Sequence, residues 1–299
     1  ISKVENFISA EDGFVRSVGL GGDLFPPLSL LFDKEGIHYD ASKKSRLEDL
    51  LQNKLLTEKE LARSRKLIKL IIDLKVSKYN LKLKNLMRLP NNAFKKEIIV
   101  VLGQVETDNS IFYGVPNDTI PKTNFALVSQ ARKDFPEAYI IYKPHPDLES
   151  GLRIAGSSEV YIREVADYVA YKTSLENIFK KVDRVVVFTS LGGFEALIRG
   201  IPVTTYGLPF YAGWGLTDDK LHDHKWVKRR KRILNIEELV YISLIEYPFY
   251  YSLRYKCFTN IEGIIEELDF NKSNNKNIEQ ILFKNWGLLK DFLITKKKK

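Results

Sequence analysis

Short apolar runs and amphipathic stretches alternate along most of the chain. Unbroken β-branched runs at residues 97–103 and 184–188 are typical of strands that are covered on both faces of a parallel sheet. Further strands are predicted at residues 139–143 and 203–206, and apolar residues at helical spacing predict helices in four segments: 45–86, 125–134, 173–181 and 194–199. This alternation predicts an α/β fold with a doubly wound parallel sheet, in which ligands lie at the carboxyl ends of the strands.

Composition places the chain among soluble globular proteins. With 299 residues, of which 44% are hydrophobic, it is long enough for two domains of roughly 100–150 residues each. No apolar run approaches the roughly 20 residues that span a bilayer. Cys257 is the only cysteine, which excludes an intramolecular disulfide and favours a reducing cytoplasm.

The net charge of +9 is concentrated in two segments, residues 225–232 (KWVKRRKR) and 296–299. Each basic residue near an anionic membrane contributes about 1 kcal/mol, so the first segment is a candidate for membrane contact, with a solvated loop as the alternative. The second is expected to be a frayed tail. No helix-turn-helix, zinc or RNA-recognition motif is present, so nucleic acid is not an expected partner.

A candidate phosphate site follows the strand at residues 184–188. The turn contains hydroxyls and glycines and precedes a helix, whose free N–H groups and positive dipole end favour an anion; its members are Thr189, Ser190, Gly192 and Gly193. The turn predicts a phosphorylated donor. Glu195, in the following helix, either hydrogen-bonds ribose hydroxyls or compensates the helix dipole, and both readings stay open.

A single histidine follows the strand at residues 139–143, in the segment Lys143-Pro144-His145-Pro146-Asp147. The prolines fix the backbone, so the His145 imidazole is well placed to donate to a phosphate or to act as an acid. Lys143 would add positive charge. The alternatives are a histidine satisfied within its turn and an exposed lysine at a strand end.

Two acidic motifs and one aromatic loop complete the candidate chemistry. Carboxylates in Glu11-Asp12-Gly13 and in the segment from Gln104 to Asp108 suit a nucleophile, a base or a stabiliser of an oxocarbenium-like centre, although each alone is also ordinary turn chemistry. The loop with Tyr211 and Trp214 is either a mobile lip over a sugar or lipid or a packed loop. No Asp-x-Asp or His/Cys cluster is present, so no metal is expected.

Eight segments resemble, in order from residue 11 to residue 219, the bacterial capsule polysaccharide β-Kdo transferases of the KpsC type. They are EDGFVRSVGLG, PPLSLLFD, GIHYDAS, SKYNL, GQVETDNSI, YKPHPD, TSLGGFEAL and YGLPFYAGWGLTDD. The GQVE form of the fifth segment and the last loop look like the C-terminal module of such enzymes, which makes the β-2,7 linkage, whereas the N-terminal module makes the β-2,4 linkage. The resemblance implies a GT-B-like fold, two Rossmann-like domains facing a cleft, and a retaining transfer of Kdo.

The resemblance also implies the donor, the acceptor and the partners. CMP-Kdo is the donor, and no cofactor or metal is needed. The acceptor is a Kdo-terminated glycolipid on a phosphatidylglycerol-type lipid at the cytoplasmic, inner face of the inner membrane, where the protein is peripheral. A sister transferase module or capsule assembly proteins are further partners.

Roles of individual residues follow from the same resemblance. His145 and Pro146 match the motif that contacts the donor phosphate, and Ser190 with Thr189 completes that site. Glu11-Asp12-Gly13 resembles a motif shared with bacterial sialyltransferases, and Asp108 stands at the essential acidic position after Gln104. We assign Asp108 as nucleophile and Glu11 as acid/base, with Asp12 as the reserve for either. Arg16 is the cation expected to face the Kdo carboxylate, and Tyr211 and Trp214 are expected on the acceptor side.

Two domains are expected, with residues 1–92 forming an acceptor-side Rossmann-like domain and residues 93–299 a nucleotide-sugar domain with C-terminal helices. Only ten residues precede Glu11, so the first domain is expected to lack its first strands and the chain to be a fragment of a longer enzyme. The alternatives are another CMP-sugar transferase of the sialyltransferase type, a CDP-polyol phosphotransferase of the teichoic-acid type, and a non-catalytic scaffold for capsule assembly.

Overall fold

Strands and helices alternate through the part of the chain that the computed structural model describes, residues 7–17, 19, 25–81 and 85–273. In chain order the strands are β1 Ser9–Asp12, β2 Ser29–Asp33, β3 Ile98–Leu102, β4 Tyr139–Lys143, β5 Tyr168–Val169, β6 Arg184–Val187, β7 Val203–Thr205, β8 Asp218–Asp219, β9 Phe249–Ser252 and β10 Cys257–Thr259. The α-helices are α1 Arg46–Asn53, α2 Glu58–Asp73, α3 Asn109–Gly114, α4 Asn124–Asp134, α5 Pro146–Glu149, α6 Ile162–Val165, α7 Leu175–Phe179, α8 Leu191–Ile198, α9 Ile236–Val240 and α10 Ile261–Ser273, and a π-helical turn, Tyr241–Glu246, follows α9.

A parallel sheet carries the centre of the fold, with the strand order β5-β4-β3-β6-β7-β8. Alternate residues of β3 enter two different cores: Ile99 and Val101 pack on the side of α4 and α6, and Val100 and Leu102 on the side of α7 and α8. Every residue of β3 is therefore buried, which explains its unbroken apolar run. The doubly wound parallel sheet is confirmed, and its order reverses between β3 and β6.

Two helix boundaries differ from the prediction. Helix α8 begins at Leu191 rather than at residue 194, because Ser190 caps it by accepting the N–H of Gly192 at 3.2 Å. Helix α2 ends at Asp73, since Lys75 adopts a positive φ of 51° and the N–H of Val76 turns back to the carbonyl of Ile71 at 2.9 Å. The predicted helix is therefore wrong for residues 74–81, which form an irregular loop, and residues 82–84 lie outside the described part of the chain.

A second sheet, antiparallel, joins distant parts of the chain in the order β1-β2-β9-β10. Strand β2 pairs with β1 on one side and with β9 on the other, where Leu30 lies opposite Phe249. The described strands of residues 1–92 thus do not form a parallel, Rossmann-like sheet, and strands occupy residues 249–259, where helices were expected. The GT-B-like division at residue 92 and the truncation of the first domain stay predictions.

The arginines of the basic segment at residues 225–232 form ion pairs within the protein. Both Arg229 and Arg230 pair with Glu48 of α1, and Arg230 also donates to the carbonyls of Pro209 and Ala212 at 2.7 Å each. Arg232 pairs with Glu238. The prediction of a membrane surface is therefore wrong for these arginines, and the exposed cations of the segment are Lys225, Lys228 and Lys231. The tail at residues 296–299 lies outside the described residues.

The described residues contain no helix with the length and apolar character that crossing a bilayer requires.

Candidate active site

A cleft of about 580 Å³ lies along the carboxyl edge of the parallel sheet. Loops that follow β3, β4 and β6 form one wall, and the end of β1 together with the loop after α2 forms the other. In folds with this strand order, ligands bind where the order reverses. The cleft brings together most of the residues that the sequence singled out: Glu11, Asp12, Gln104, Asp108, Lys143, His145, Pro146, Thr189, Ser190, Gly192 and Glu195.

Gln104 and Thr189 join the ends of β3 and β6. The Gln104 Nε2 donates to Thr189 Oγ1 at 3.0 Å, and the Thr189 N–H donates to Gln104 Oε1 at 2.9 Å. Asn124 holds the backbone of Gln104 through two further bonds of 2.9 Å. The floor of the cleft is thus built at the reversal of strand order by a buried, fully bonded amide.

Two glycines allow α8 to approach the sheet. A Cβ at Gly192 would lie 2.5 Å from Leu102 Cδ1, and a Cβ at Gly193 would lie 2.3 Å from the Tyr211 hydroxyl. Glycine in both places brings the helix N-terminus to the cleft, although Gly193 itself lies behind the lining. Glu195 is in the second turn of α8, so compensation of the dipole at the first turn does not explain it.

His145 is held as a neutral hydrogen-bond donor. Its Nδ1 accepts the N–H of Asp147 at 3.2 Å, so the proton of the neutral imidazole is assigned to Nε2. Burial lowers the pKa of His145 to about 4, which keeps the ring uncharged at neutral pH. The Nε2–H group at the cleft suits a phosphate oxygen.

Lys143 lines the cleft, but its positive charge is compensated by an ion pair with Glu149. Its Nζ lies 2.6 Å from Glu149 Oε2 and 2.9 Å from the carbonyl of Pro144, and the ion pair is buried. Burial lowers the pKa of Lys143 even though Glu149 opposes this effect. The side chain therefore holds the loop of His145 in place.

Three carboxylates line the cleft. Glu11 and Asp12 end β1, and the Glu11 Oε1 accepts the N–H of Asp12 at 3.1 Å. Asp108 is exposed and caps α3, where its Oδ1 accepts the N–H of Ser110 at 2.8 Å. Tyr39 lines the same cleft, where burial and the charges of Glu11 and Asp108 raise its pKa. Acid groups from two separate parts of the chain thus face one space.

Arg16 does not line the cleft. Its guanidinium is buried, pairs with Asp12 and donates to Ser17 Oγ at 2.9 Å. The structure therefore gives no support to the prediction that Arg16 faces a substrate carboxylate, since its buried guanidinium lies outside the cleft lining and pairs with Asp12. Its place is to hold Asp12.

The aromatic loop is a packed element. Tyr211 and Trp214 are fully buried, the Tyr211 hydroxyl donates to the carbonyl of Ser190, and the Trp214 Nε1 donates to the carbonyl of Phe210 at 2.8 Å. The interpretation as a mobile lip on the acceptor side is wrong. Tyr211 instead supports the turn that precedes α8.

Two lining residues escaped the sequence analysis. Lys78 belongs to the segment SKYNL, where the turn formers Ser77 and Asn80 on either side of it were a usable signal for a lysine presented by a turn. His38 carried no signal. Its half-buried ring packs edge-on against Phe14, with ring centroids 5.0 Å apart, and desolvation lowers its pKa to about 3.

Among the described residues, no three His, Cys, Asp or Glu side chains come together as a metal site would require. Independence from metals stays a prediction.

The comparisons with known proteins agree on one family. A family described as capsule polysaccharide biosynthesis protein matches residues 2–250. Capsule polysaccharide modification protein LipA of Neisseria meningitidis serogroup A is 42% identical over 267 residues, which cover 89% of this chain and 36% of LipA. Lipopolysaccharide-processing protein LpsZ of Rhizobium meliloti is 38% identical over 266 residues, which cover 88% of this chain and 58% of LpsZ. The chain thus spans less than two thirds of either relative.

Two solved structures of KpsC from Thermosulfurimonas dismutans are similar to this chain. The beta Kdo 2,7 transferase superposes with a TM-score of 0.71 at 40% identity and covers 89% of this chain and 78% of its own. The beta Kdo 2,4 transferase superposes with a TM-score of 0.77 at 32% identity, with coverages of 88% and 79%. With a family match over residues 2–250, the chain belongs to the capsule polysaccharide biosynthesis protein family.

Proposed function

We propose that the chain is a retaining glycosyltransferase that moves Kdo from CMP-Kdo to a Kdo-terminated acceptor on a phosphatidylglycerol-type lipid, and so builds the β-linked poly-Kdo linker of capsular polysaccharide. The observation that carries the proposal is the grouping of Glu11, Asp12 and Asp108 with His145 and the N-terminus of α8 in one cleft. The likeness to the two KpsC transferases supports the sugar.

The donor phosphate is proposed to lie between His145 and Ser190. The His145 Nε2–H donates to one phosphate oxygen, and the hydroxyl of Ser190 donates to another while its oxygen continues to cap α8. Glu195 and the Gln104–Thr189 pair border the same region of the cleft.

Retention requires two displacements at the anomeric carbon. In the first, an oxygen of Asp108 bonds to that carbon while the bond to the phosphate oxygen breaks and its electron pair leaves with CMP. In the second, an acceptor hydroxyl bonds to the same carbon, Glu11 takes the hydroxyl proton, and Asp108 is released. Glu11 is the better base of the β1 pair because Asp12 is held by Arg16. CMP leaves readily, so a general acid matters little in the first step.

The decisive experiment measures CMP release from CMP-Kdo with a synthetic Kdo-terminated acceptor, followed by NMR of the product. Intact-mass spectrometry of Glu11→Gln is expected to show a Kdo adduct, because the base that completes the second displacement is lost. Asp108→Ala is expected to show neither adduct nor product. The exposed Glu137→Gln and Asp118→Ala are matched controls and should behave as the wild type.

Each other result has a definite meaning. An adduct on Asp108→Ala would move the nucleophile to Asp12. CMP release from CMP-sialic acid in place of CMP-Kdo would indicate a sialyltransferase type, and CMP binding without release would indicate a scaffold. The ring position of the new linkage in the product decides between a 2,7 and a 2,4 transferase. Sequence identity favours the 2,7 transferase (40% against 32%), whereas the TM-score favours the 2,4 transferase (0.77 against 0.71).

The proposal includes a lipid acceptor, and with it a reaction at the inner face of the inner membrane. The exposed Lys225, Lys228 and Lys231 support contact with an anionic surface. Flotation with anionic liposomes should weaken with salt and with Gln at these three positions. Flotation indifferent to both would contradict the membrane part of the proposal.

A further inference from the structure

We infer that Lys78 is the binding site for the carboxylate of an acidic sugar donor. Its half-buried side chain lines the same cleft as Glu11, Asp12 and His145. The inference rests on the proposed function, since it names the protein group that recognises the acid function of the donor. It replaces the sequence-based assignment of Arg16.

The backbone of Lys78 is held on both sides of its residue. Its N–H donates to Glu195 Oε1 at 2.8 Å, and its carbonyl accepts the N–H groups of Arg16 at 3.0 Å and Ser17 at 3.2 Å. The partners come from α8 and from the segment after β1. Both walls of the cleft therefore determine where the Lys78 side chain begins.

The turn around Lys78 is held by hydrogen bonds between Ser77 and Asn80, the residues at its two ends. Asn80 adopts a positive φ of 48° and is buried; its N–H donates to Ser77 Oγ at 3.0 Å, and its amide donates to the carbonyls of Ser77 at 2.7 Å and Ser17 at 3.1 Å. A turn held in this way leaves mainly the lysine side chain to be ordered by a ligand, which lowers the entropic cost of binding.

The ammonium group of Lys78 carries a charge that no close partner cancels. The ion pairs of the described residues include none with Lys78, whose Nζ lies 5.2 Å from the centroid of the Tyr79 ring. Burial alone would lower the pKa of Lys78, but the Tyr79 phenol and the charges of Asp12 and Glu11 outweigh burial and raise it. The side chain is therefore cationic at neutral pH.

Other cations at the cleft are already paired. Lys143 is bound to Glu149, and Arg199 and Lys180 each lie 3.4 Å from Glu176. Lys75 is exposed at the rim. Among the described cations of the cleft, Lys78 is the one that lies inside it with its charge available.

The chemistry of the donor requires such a cation. In a CMP-activated ulosonic acid, one carbon carries both the phosphate and the carboxylate, so the carboxylate must enter beside the groups that attack that carbon. Glu11, Asp12 and Asp108 would repel it. A cation within the same space offsets the repulsion and orients the donor, whereas His145 and α8 serve the phosphate.

The test combines two forms of the full chain with two forms of the donor, in the manner of a double-mutant cycle. CMP release is measured for the wild type and Lys78→Gln with CMP-Kdo and with its carboxamide derivative, which lacks the charge. A hydrogen bond to a charged group corresponds to about 10- to 150-fold, so kcat/KM of the wild type should fall by that factor with the carboxamide. Lys78→Gln should fall similarly with CMP-Kdo and should distinguish the two donors by less than about 3-fold.

Control variants separate binding from folding. Lys78→Arg should recover part of the activity, the exposed Lys69→Gln should match the wild type, and calorimetry should show unchanged affinity of Lys78→Gln for CMP alone. If Lys78→Gln keeps the wild-type ratio between the two donors and only shifts the pH profile, Lys78 positions Glu11 and the inference is overturned. If the wild type releases no CMP from CMP-Kdo, the proposed function fails. In that case calorimetry still tests the carboxylate site at Lys78. Equal affinities of the wild type for CMP-Kdo and for its carboxamide would overturn the inference.

Discussion

The Glu195 carboxylate accepts a hydrogen bond from the backbone N–H of Lys78 at 2.8 Å, across 117 positions of the chain. Glu195 lies on α8, whose N-terminus faces the cleft, and Lys78 lies in the loop on the opposite wall. The second carboxylate oxygen of Glu195 is buried without a partner, and burial raises the pKa of the group. The bond therefore fixes the distance between the proposed phosphate site and the proposed carboxylate site.

Loss of this bond is expected to destabilise the fold. Glu195→Ala should lower the free energy of unfolding by about 1–3 kcal/mol, because the Lys78 N–H loses its acceptor. Glu195→Gln should lower it less, since an amide oxygen still accepts the bond. Urea unfolding measures both, with the exposed Glu137→Ala as control. A Gln variant as unstable as the Ala variant would contradict this account.

His145 is expected to contribute to the affinity for the nucleotide. His145→Ala should weaken the binding of CMP by about 10- to 100-fold, because the Nε2–H no longer donates to the charged phosphate. Isothermal calorimetry with CMP measures the change. The exposed His222→Ala is the matched control and should bind as the wild type. Unchanged affinity in His145→Ala would remove the imidazole from the phosphate site.

Two half-buried histidines make stability depend on pH. The folded pKa is about 3 for His38 and about 4 for His145, against 6.5 when unfolded, and burial is the main cause of both shifts. Below pH 6.5 the unfolded chain binds protons that the folded chain does not, so the free energy of unfolding should fall with decreasing pH from about 6.5 towards 4. The slope is at most about 1.4 kcal/mol per pH unit for each histidine.

Urea unfolding between pH 7 and pH 5 checks this dependence. The double variant His38→Gln/His145→Gln should show a shallower slope than the wild type, because the two groups no longer titrate. His222→Gln should keep the wild-type slope, since that ring is exposed. Equal slopes in the double variant and the wild type would show that carboxylates alone cause the pH dependence.

Tyr211 is expected to act through packing. Tyr211→Phe removes a buried hydrogen bond to the Ser190 carbonyl and should lower the free energy of unfolding by about 1–2 kcal/mol. The KM for the acceptor should stay the same, because the ring does not reach the cleft. Tyr255→Phe, on an exposed tyrosine, is the control. A raised KM with unchanged stability would restore the role of Tyr211 at the acceptor.

Local patterns were sufficient for the parallel sheet and for much of the cleft. The apolar runs of β3, β4 and β6 are long and uninterrupted because helices cover both faces of those strands, and so their positions could be predicted almost to the residue. Parallel strands end at a common edge. Gln104, His145 and Thr189 therefore had to meet, as each directly follows a strand.

Pairing between distant residues could not be predicted in this way. Strand β2 pairs with β9, which lies more than 200 positions away in the sequence, and the sequence of neither strand indicates its partner. Charged and aromatic side chains were misassigned for the same reason: Arg16 is bound by Asp12, and Tyr211 by Ser190. A side chain that looks available in the sequence is no longer available once a partner uses its donors.

The sequence by itself determined the α/β class, the central strands and the polar residues at their carboxyl ends, because these depend on periodicity over a few neighbouring positions. Only the tertiary structure decided which charges remain for a ligand. Lys143, Arg16 and Lys78 are all cations in or near recognised motifs, yet two are neutralised by carboxylates and one is not. That difference depends on contacts across the whole fold, which local spacing does not encode.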